Sequence, residues 1–210
     1  LIFELFLCNS KTFFTLFSDI WRNMHSDSEK SANSAGELTV QEQEAVDFFL
    51  EYKDMVQFIL RNPNVLKKEK EWSSFLVFLR NLDSVLCKSS LDERCLLFRG
   101  IARDYAERLL FLLDITREPG ERSGDRFTPH ILQDPSYITF SRTADAALEI
   151  PGGKGTYRLL FVYQGEPADN ALPIAGKSSE VLFPRNARWL TTGYMTDDSG
   201  ITCVCLERIV

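Results

Sequence analysis

The hydrophobic period of this chain passes from mainly helical to mainly strand-like near Asp134-Pro135, and that change limits its fold more than any other feature. Upstream, Ala45, Phe48, Phe49, Tyr52, Met55, Val56 and Ile59 recur at three- and four-residue steps, which is one face of a helix. Thr39 with Glu42 forms a capping-box pattern at its start, and Asn62-Pro63 stops it. Trp72, Phe75, Leu76, Leu79, Leu82 and Leu86 predict a second helix, an aromatic stripe read as core. A short strand, Cys95–Gly100, then precedes a third helix from Asp104 to Leu113. Downstream the texture is strand-rich, with strands expected near 136–142, 156–164, 180–183, 187–194 and 201–209 and one helical turn at Ala144–Leu148. Helices gathered ahead of strands, rather than alternating with them, predict an α+β fold: an N-terminal helical lobe followed by a mainly antiparallel sheet.

The length of 210 residues allows one domain with a real core, and 26% charged residues against 44% hydrophobic is a soluble balance. Residues 26–37 are small and polar, so residues 1–38 are expected to form an N-terminal segment with a Ser-rich linker, and 39–210 the functional domain. Residues 1–23 are expected to be dispensable to that domain, with Met24 a candidate start. The apolar run Leu1–Cys8 is short and interrupted by Glu4, so no membrane span is expected. A net charge of -6 argues against a nucleic-acid partner, because phosphate backbones need a concentrated basic surface. The cluster Lys67-Lys68-Glu69-Lys70-Glu71 neutralises itself and reads as a solvated helix start or loop. Five cysteines make no disulfide framework; Cys203 and Cys205 share a strand face and read as core-filling thiols. With two histidines, His25 and His130, both distant in sequence from those thiols, no metal site is expected. Gly152-Gly153-Lys154-Gly155 lacks the spacing of a phosphate loop and reads as a turn. The polar stretch Arg117–Gly124 reads as a loop.

Three short segments carry candidate chemistry. Arg99, in Leu97-Phe98-Arg99-Gly100, ends an apolar strand, where a guanidinium needs an anionic partner and Gly100 allows a ligand close to the backbone. Thr139 and Ser141 alternate, so their hydroxyls share a face and could orient Arg99 and a carboxylate. Glu180 opens the apolar run Val181-Leu182-Phe183-Pro184. Taken singly, each has an ordinary reading: a strand-end ion pair, β-rich composition, a solvated strand start. Taken together, they suit cleavage of a dinucleotide at its nicotinamide–ribose bond. A fixed cation holds the diphosphate, and a carboxylate stabilises the positive character left on the ribose. Nicotinamide departs neutral, so no strong general acid is required.

In order and flanks, these segments resemble the Arg-Ser-Glu branch of the mono-ADP-ribosyltransferases. The resemblance covers about residues 94–210: Phe98-Arg99-Gly100, then Thr139-Phe140-Ser141 ahead of Ala144–Leu148, then Ser178-Ser179-Glu180 running into Val181-Leu182-Phe183-Pro184. It implies a split β-sheet core of the ADP-ribosyltransferase type and NAD as co-substrate, with no metal. Arg99 and Gly100 would bind the NAD phosphates and adjoining ribose, and Ser141 with Thr139 would scaffold the pocket. Glu180 would bind the nicotinamide-ribose hydroxyls and stabilise the transition state. Tyr157 is the candidate for stacking on nicotinamide, though a strand Tyr can equally face the core. Ala168–Lys177 would be the loop meeting a protein acceptor. The family further implies a monomeric bacterial toxin or secreted effector acting in host cytoplasm. Two positions depart from its pattern. Thr139 replaces a Ser and keeps the hydroxyl. Ser178 replaces the first Glu of Glu-x-Glu, and a neutral hydroxyl cannot act as a charged clamp for an acceptor guanidinium. Arginine modification is therefore in doubt, and three activities stay open: transfer to another side chain, NAD hydrolysis, and an inert NAD- or peptide-binding relative.

Overall fold

The computed structural model describes residues 38–66, 69–115, 118–120, 122–123, 127–149, 158–174 and 180–209. Tyr157, Ser178 and the Gly152–Gly155 turn lie outside the described residues, as do residues 1–37. Among the described residues no helix is long and apolar enough to cross a membrane. The chain separates into two compact units, Leu1–Lys88 and Ser89–Val210.

The first unit is helical: α1 (Val40–Glu51), α2 (Lys53–Arg61), a short 3-10 turn at Pro63–Val65 and α3 (Glu69–Lys88). The capping box is formed, with Glu42 N–H donating to Thr39 Oγ1 at 3.2 Å and Thr39 N–H to Glu42 Oε2 at 2.9 Å. The single helix expected over 40–61 is instead two. Tyr52 leaves helical geometry (φ -118, ψ 30), while Tyr52 N–H to Phe48 O and Val56 N–H to Tyr52 O keep the hydrogen-bond ladder running through the kink. The kink re-phases the stripe, so that Phe48 and Phe49 before it and Met55, Val56 and Ile59 after it are all buried. Phe48 meets Phe78 of α3 edge-on at 5.2 Å. Each fully buried ring of this kind contributes roughly 1.5–3 kcal/mol. Glu71, read from sequence as part of a solvated cluster, is buried; a charge run records composition, not which turn of the helix meets a neighbour.

The second unit contains β1 (Cys95–Gly100), α4 (Arg103–Leu112), β2 (Ile131–Gln133), β3 (Ile138–Ser141), α5 (Ala144–Leu148), β4 (Leu159–Gly165), β5 (Leu172–Ile174), β6 (Glu180–Phe183), β7 (Arg188–Thr196) and β8 (Thr202–Ile209). Its strands run in the order β2-β7-β8-β4-β1-β3-β6-β5. Every pairing is antiparallel except β4 with β8. The predicted α+β plan and the predicted strands are present. β2 and β5 went unread because three residues are too few to show a period of two. Pro173 in β5 also argues against a strand, but β5 is the sheet edge, where a missing N–H is tolerated. Of the stretch read as a polar loop, Gly120 and Ser123 lie along β7: Gly120 N–H donates to Thr196 O, and Ser123 N–H to Tyr194 O.

The sheet is split at β1/β3, whose register is the single pair Phe98↔Ser141. The two halves then face each other. Phe140 of β3 and Phe183 of β6 meet Trp189 of β7 at 5.3 Å each, and Tyr163 of β4 at 6.3 and 5.8 Å. Strands far apart in the sheet order can touch in this way only if the sheet folds over on itself. Offset and edge-to-face rings of this kind give about 0.5–1.5 kcal/mol per pair beyond their buried area. Cys203 and Cys205 do share a face of β8, but Val204 and Leu206 are the residues that enter the core; Cys205 is exposed and Cys203 half-buried. The alternation established a shared face and left open which face was inward.

Candidate functional site

The seam where the sheet splits carries Arg99, Gly100, Thr139, Ser141 and Glu180, whereas Tyr157 and Ser178 lie outside the described residues. Register continues from Phe98↔Ser141 to Ser141↔Glu180 and then to Ile174↔Glu180. Glu180 therefore stands two strand spacings from β1, about 10 Å between backbones. Residues directly opposite in an antiparallel pair share a face, so the Ser141 and Glu180 side chains lie on one side of β3 and β6. Phe140 and Val181, between them in the pleat, enter the core and fix that orientation. Ser141 is buried, while Thr139 and Glu180 are half-buried.

Arg99 comes one residue after Phe98 and one before the end of β1, half-buried, with Gly100 beside it. Its Nη1 donates a long hydrogen bond of 3.4 Å to the Thr139 carbonyl. A backbone acceptor on β3 thus takes part in aiming the guanidinium, a task for which sequence suggested the side-chain hydroxyls of that strand. Along the seam stand a forked cation on β1, two hydroxyl side chains on β3 and a carboxylate on β6; Thr139, Ser141 and Glu180 lie opposite the buried Ile138, Phe140 and Val181, whereas Arg99, next to Phe98, alternates to the face of Leu97. Such a set can grip an anionic ligand at one end and stabilise positive charge at the other. Among the described residues no group of three or more His, Cys, Asp or Glu is placed to hold a metal ion.

A second polar cluster was not read from sequence. Asp169, buried between β4 and β5, accepts from Tyr163 Oη at 2.7 Å, from Glu166 N–H at 2.8 Å and from Arg208 Nη1 at 3.2 Å. Its pairing with Arg208 is well screened from solvent on both sides. The Arg208 guanidinium also lies 5.5 Å from the Phe183 ring centre. Burial, and then the hydrogen bond to Asp169, push the Tyr163 phenol well above its usual range, so it remains a donor. In sequence, Asp169 sits among Gly, Pro and Asn as an ordinary loop residue, and its partners are 6 and 39 residues away. No local pattern could have revealed them.

No protein-family model matches the sequence, and no curated protein does. Solved structures do match. The C3 exoenzyme of Clostridium limosum superposes with a TM-score of 0.58 at 14% identity, over 88% of this chain and 99% of that one. C3stau2 from S. aureus, solved with NAD, gives 0.60 at 16% identity, over 83% and 89%. Plx2a, an ADP-ribosyltransferase toxin from Paenibacillus larvae, gives 0.59 at 13% identity, over 96% of both chains. The chain thus has the fold of the bacterial mono-ADP-ribosyltransferase toxins, a helical part and a split, mostly antiparallel open sheet. At these identities the likeness is one of fold.

Proposed function

We propose that residues 39–210 form an NAD-dependent mono-ADP-ribosyltransferase that transfers ADP-ribose to a protein side chain and releases nicotinamide. The observation that carries this reading is the register Phe98↔Ser141↔Glu180 at the seam, with Arg99 beside it. Support also comes from the shared fold and from the neighbour solved with NAD. In this reading Arg99 and Gly100 hold the diphosphate, and Ser141 and Thr139 scaffold the pocket. Glu180 engages the ribose hydroxyls. The bond from the ribose anomeric carbon to the nicotinamide nitrogen breaks, and its electron pair leaves with neutral nicotinamide. The oxocarbenium-like ribose is stabilised by the Glu180 carboxylate until an acceptor attacks and gives up its proton. Tyr157 remains the proposed stacking residue. A monomeric secreted effector acting in host cytoplasm is the proposed setting, in keeping with the toxin neighbours.

A second reading, NAD glycohydrolase, is favoured by one feature: Ser178 stands where arginine-specific members carry a carboxylate. Incubation with NAD labelled in the adenylate half, in the presence of a host-cell extract, separates the readings. Label on a protein together with free nicotinamide supports transfer. Free nicotinamide with no labelled protein supports hydrolysis. Neither product leaves the inert relative. If Glu180→Ala turned over NAD as fast as the parent chain, the assigned chemistry would be wrong.

A further inference from the structure

Asp169 takes no part in the proposed NAD chemistry, yet its carboxylate is buried and closely engaged. Three donors converge on it: the Tyr163 phenol, the Glu166 backbone N–H and the Arg208 guanidinium. Tyr163 and Arg208 come from β4 and β8, in the larger half of the split sheet. Asp169 lies three residues before β5, and Phe183, which meets the Arg208 guanidinium, lies three residues after Glu180. Arg208 therefore holds the connection that leads into β5 and touches the ring at the end of β6. Among the described residues the strand pairing across the split is the single pair Phe98↔Ser141, with Arg99 reaching the Thr139 carbonyl beside it. The hydrophobic cluster of Phe140, Tyr163, Phe183 and Trp189 presses the halves together, but rings can slide against one another. A buried, directional ion pair with two further hydrogen bonds cannot slide without leaving charge unpaired.

We propose that Asp169 is a positioning residue: through Arg208 and Tyr163 it sets the β5–β6 pair, and hence the Glu180 carboxylate, relative to Arg99. This deepens the functional reading above and rests on it for its kinetic consequence. A displacement of about 1 Å at a reacting group can cost 10²-fold in rate without abolishing binding. NAD affinity resides mainly with Arg99, which β1 holds independently of Asp169. The signature is therefore a fall in kcat with KM nearly constant.

The experiment compares the parent chain with Asp169→Asn, Tyr163→Phe and Arg208→Lys. It measures steady-state nicotinamide release from NAD and hydrogen exchange of individual amides, at a temperature where circular dichroism shows each protein folded. In Asp169→Asn we expect kcat down about tenfold to a hundredfold, KM for NAD within about twofold, and exchange about tenfold faster at Leu172, Ile174 and Glu180–Phe183. Amides of Thr191–Thr196 and Thr202–Leu206 should be unchanged. Tyr163→Phe removes one of the three hydrogen bonds and should fall between; it and Arg208→Lys decide the matter if Asp169→Asn does not fold. Unchanged β5–β6 exchange in a folded variant overturns the proposal, as does a loss of kcat that only tracks the folded fraction. If the parent chain releases no nicotinamide, the functional reading fails separately, and the exchange pattern alone decides whether Asp169 positions the strand pair.

Discussion

Replacing Glu42 by Gln tests a buried charge that ties α1 to α3. Glu42 has two oxygens with separate duties. Oε2 closes the capping box with Thr39 N–H, and Oε1 accepts from Ser84 Oγ at 2.6 Å and from Lys88 Nζ at 2.6 Å. The side chain is 6% exposed, whereas Lys88 is 48% exposed. Burial alone would raise the carboxyl, but the hydrogen bonds from Lys88, Ser84 and Thr39 outweigh it and bring Glu42 from its ordinary 4.5 down to about 2. That gap is worth about 3 kcal/mol between the two protonation states. Gln can still close the box, and the Lys88 partner is partly screened by water, so the expected loss at neutral pH is about 2 kcal/mol. The sign follows from linkage. A depressed carboxyl contributes fully above its unfolded value of 4.5, and the contribution disappears as pH falls through about 2. Urea unfolding followed by far-ultraviolet circular dichroism, at pH 7 and again near pH 2, should show the two proteins separated by about 2 kcal/mol and then nearly coincident. A gap that stays constant over the whole range would place the loss in packing or capping and refute the ion-pair account.

Glu180→Gln should leave the unfolding free energy within about 0.5 kcal/mol, by urea denaturation, and cut nicotinamide release by about 10²–10³-fold, read by steady-state kinetics. Arg99→Lys keeps the charge but loses the fork, so KM for NAD should rise about tenfold with a smaller change in kcat. Phe183→Ala removes a ring in contact with Phe140, Tyr163 and Trp189 and should cost about 3–5 kcal/mol, measured by chemical denaturation. Asn186 sits at φ 60 in the turn between β6 and β7; Asn186→Ala should cost about 1 kcal/mol and Asn186→Gly nearly nothing, by the same measurement.

Much of this protein could be read along the chain because the relevant physics is local. The capping box at Thr39, the stop at Asn62-Pro63, the helical turn at Ala144–Leu148 and the alternation of the longer strands depend on neighbours within a few residues. The order Arg99, Ser141, Glu180 was legible for a related reason: each is marked by the strand that carries it. What sequence could not supply was choice among neighbours distant in the chain. It could not say that Ser141 would pair with Phe98 on one side and Glu180 on the other. It could not say that Val204 rather than Cys203 would face inward, because a period of two has no sign until another layer covers one face. Nor could it join Asp169 to Arg208, since an isolated Asp and an isolated Arg look solvated until folding brings them together out of water. The sequence by itself determined the elements and the residue types at the seam. Only the tertiary structure decided their register, their faces and the Asp169–Arg208 ion pair, because those are set by the competition to bury surface among segments that sequence order keeps apart.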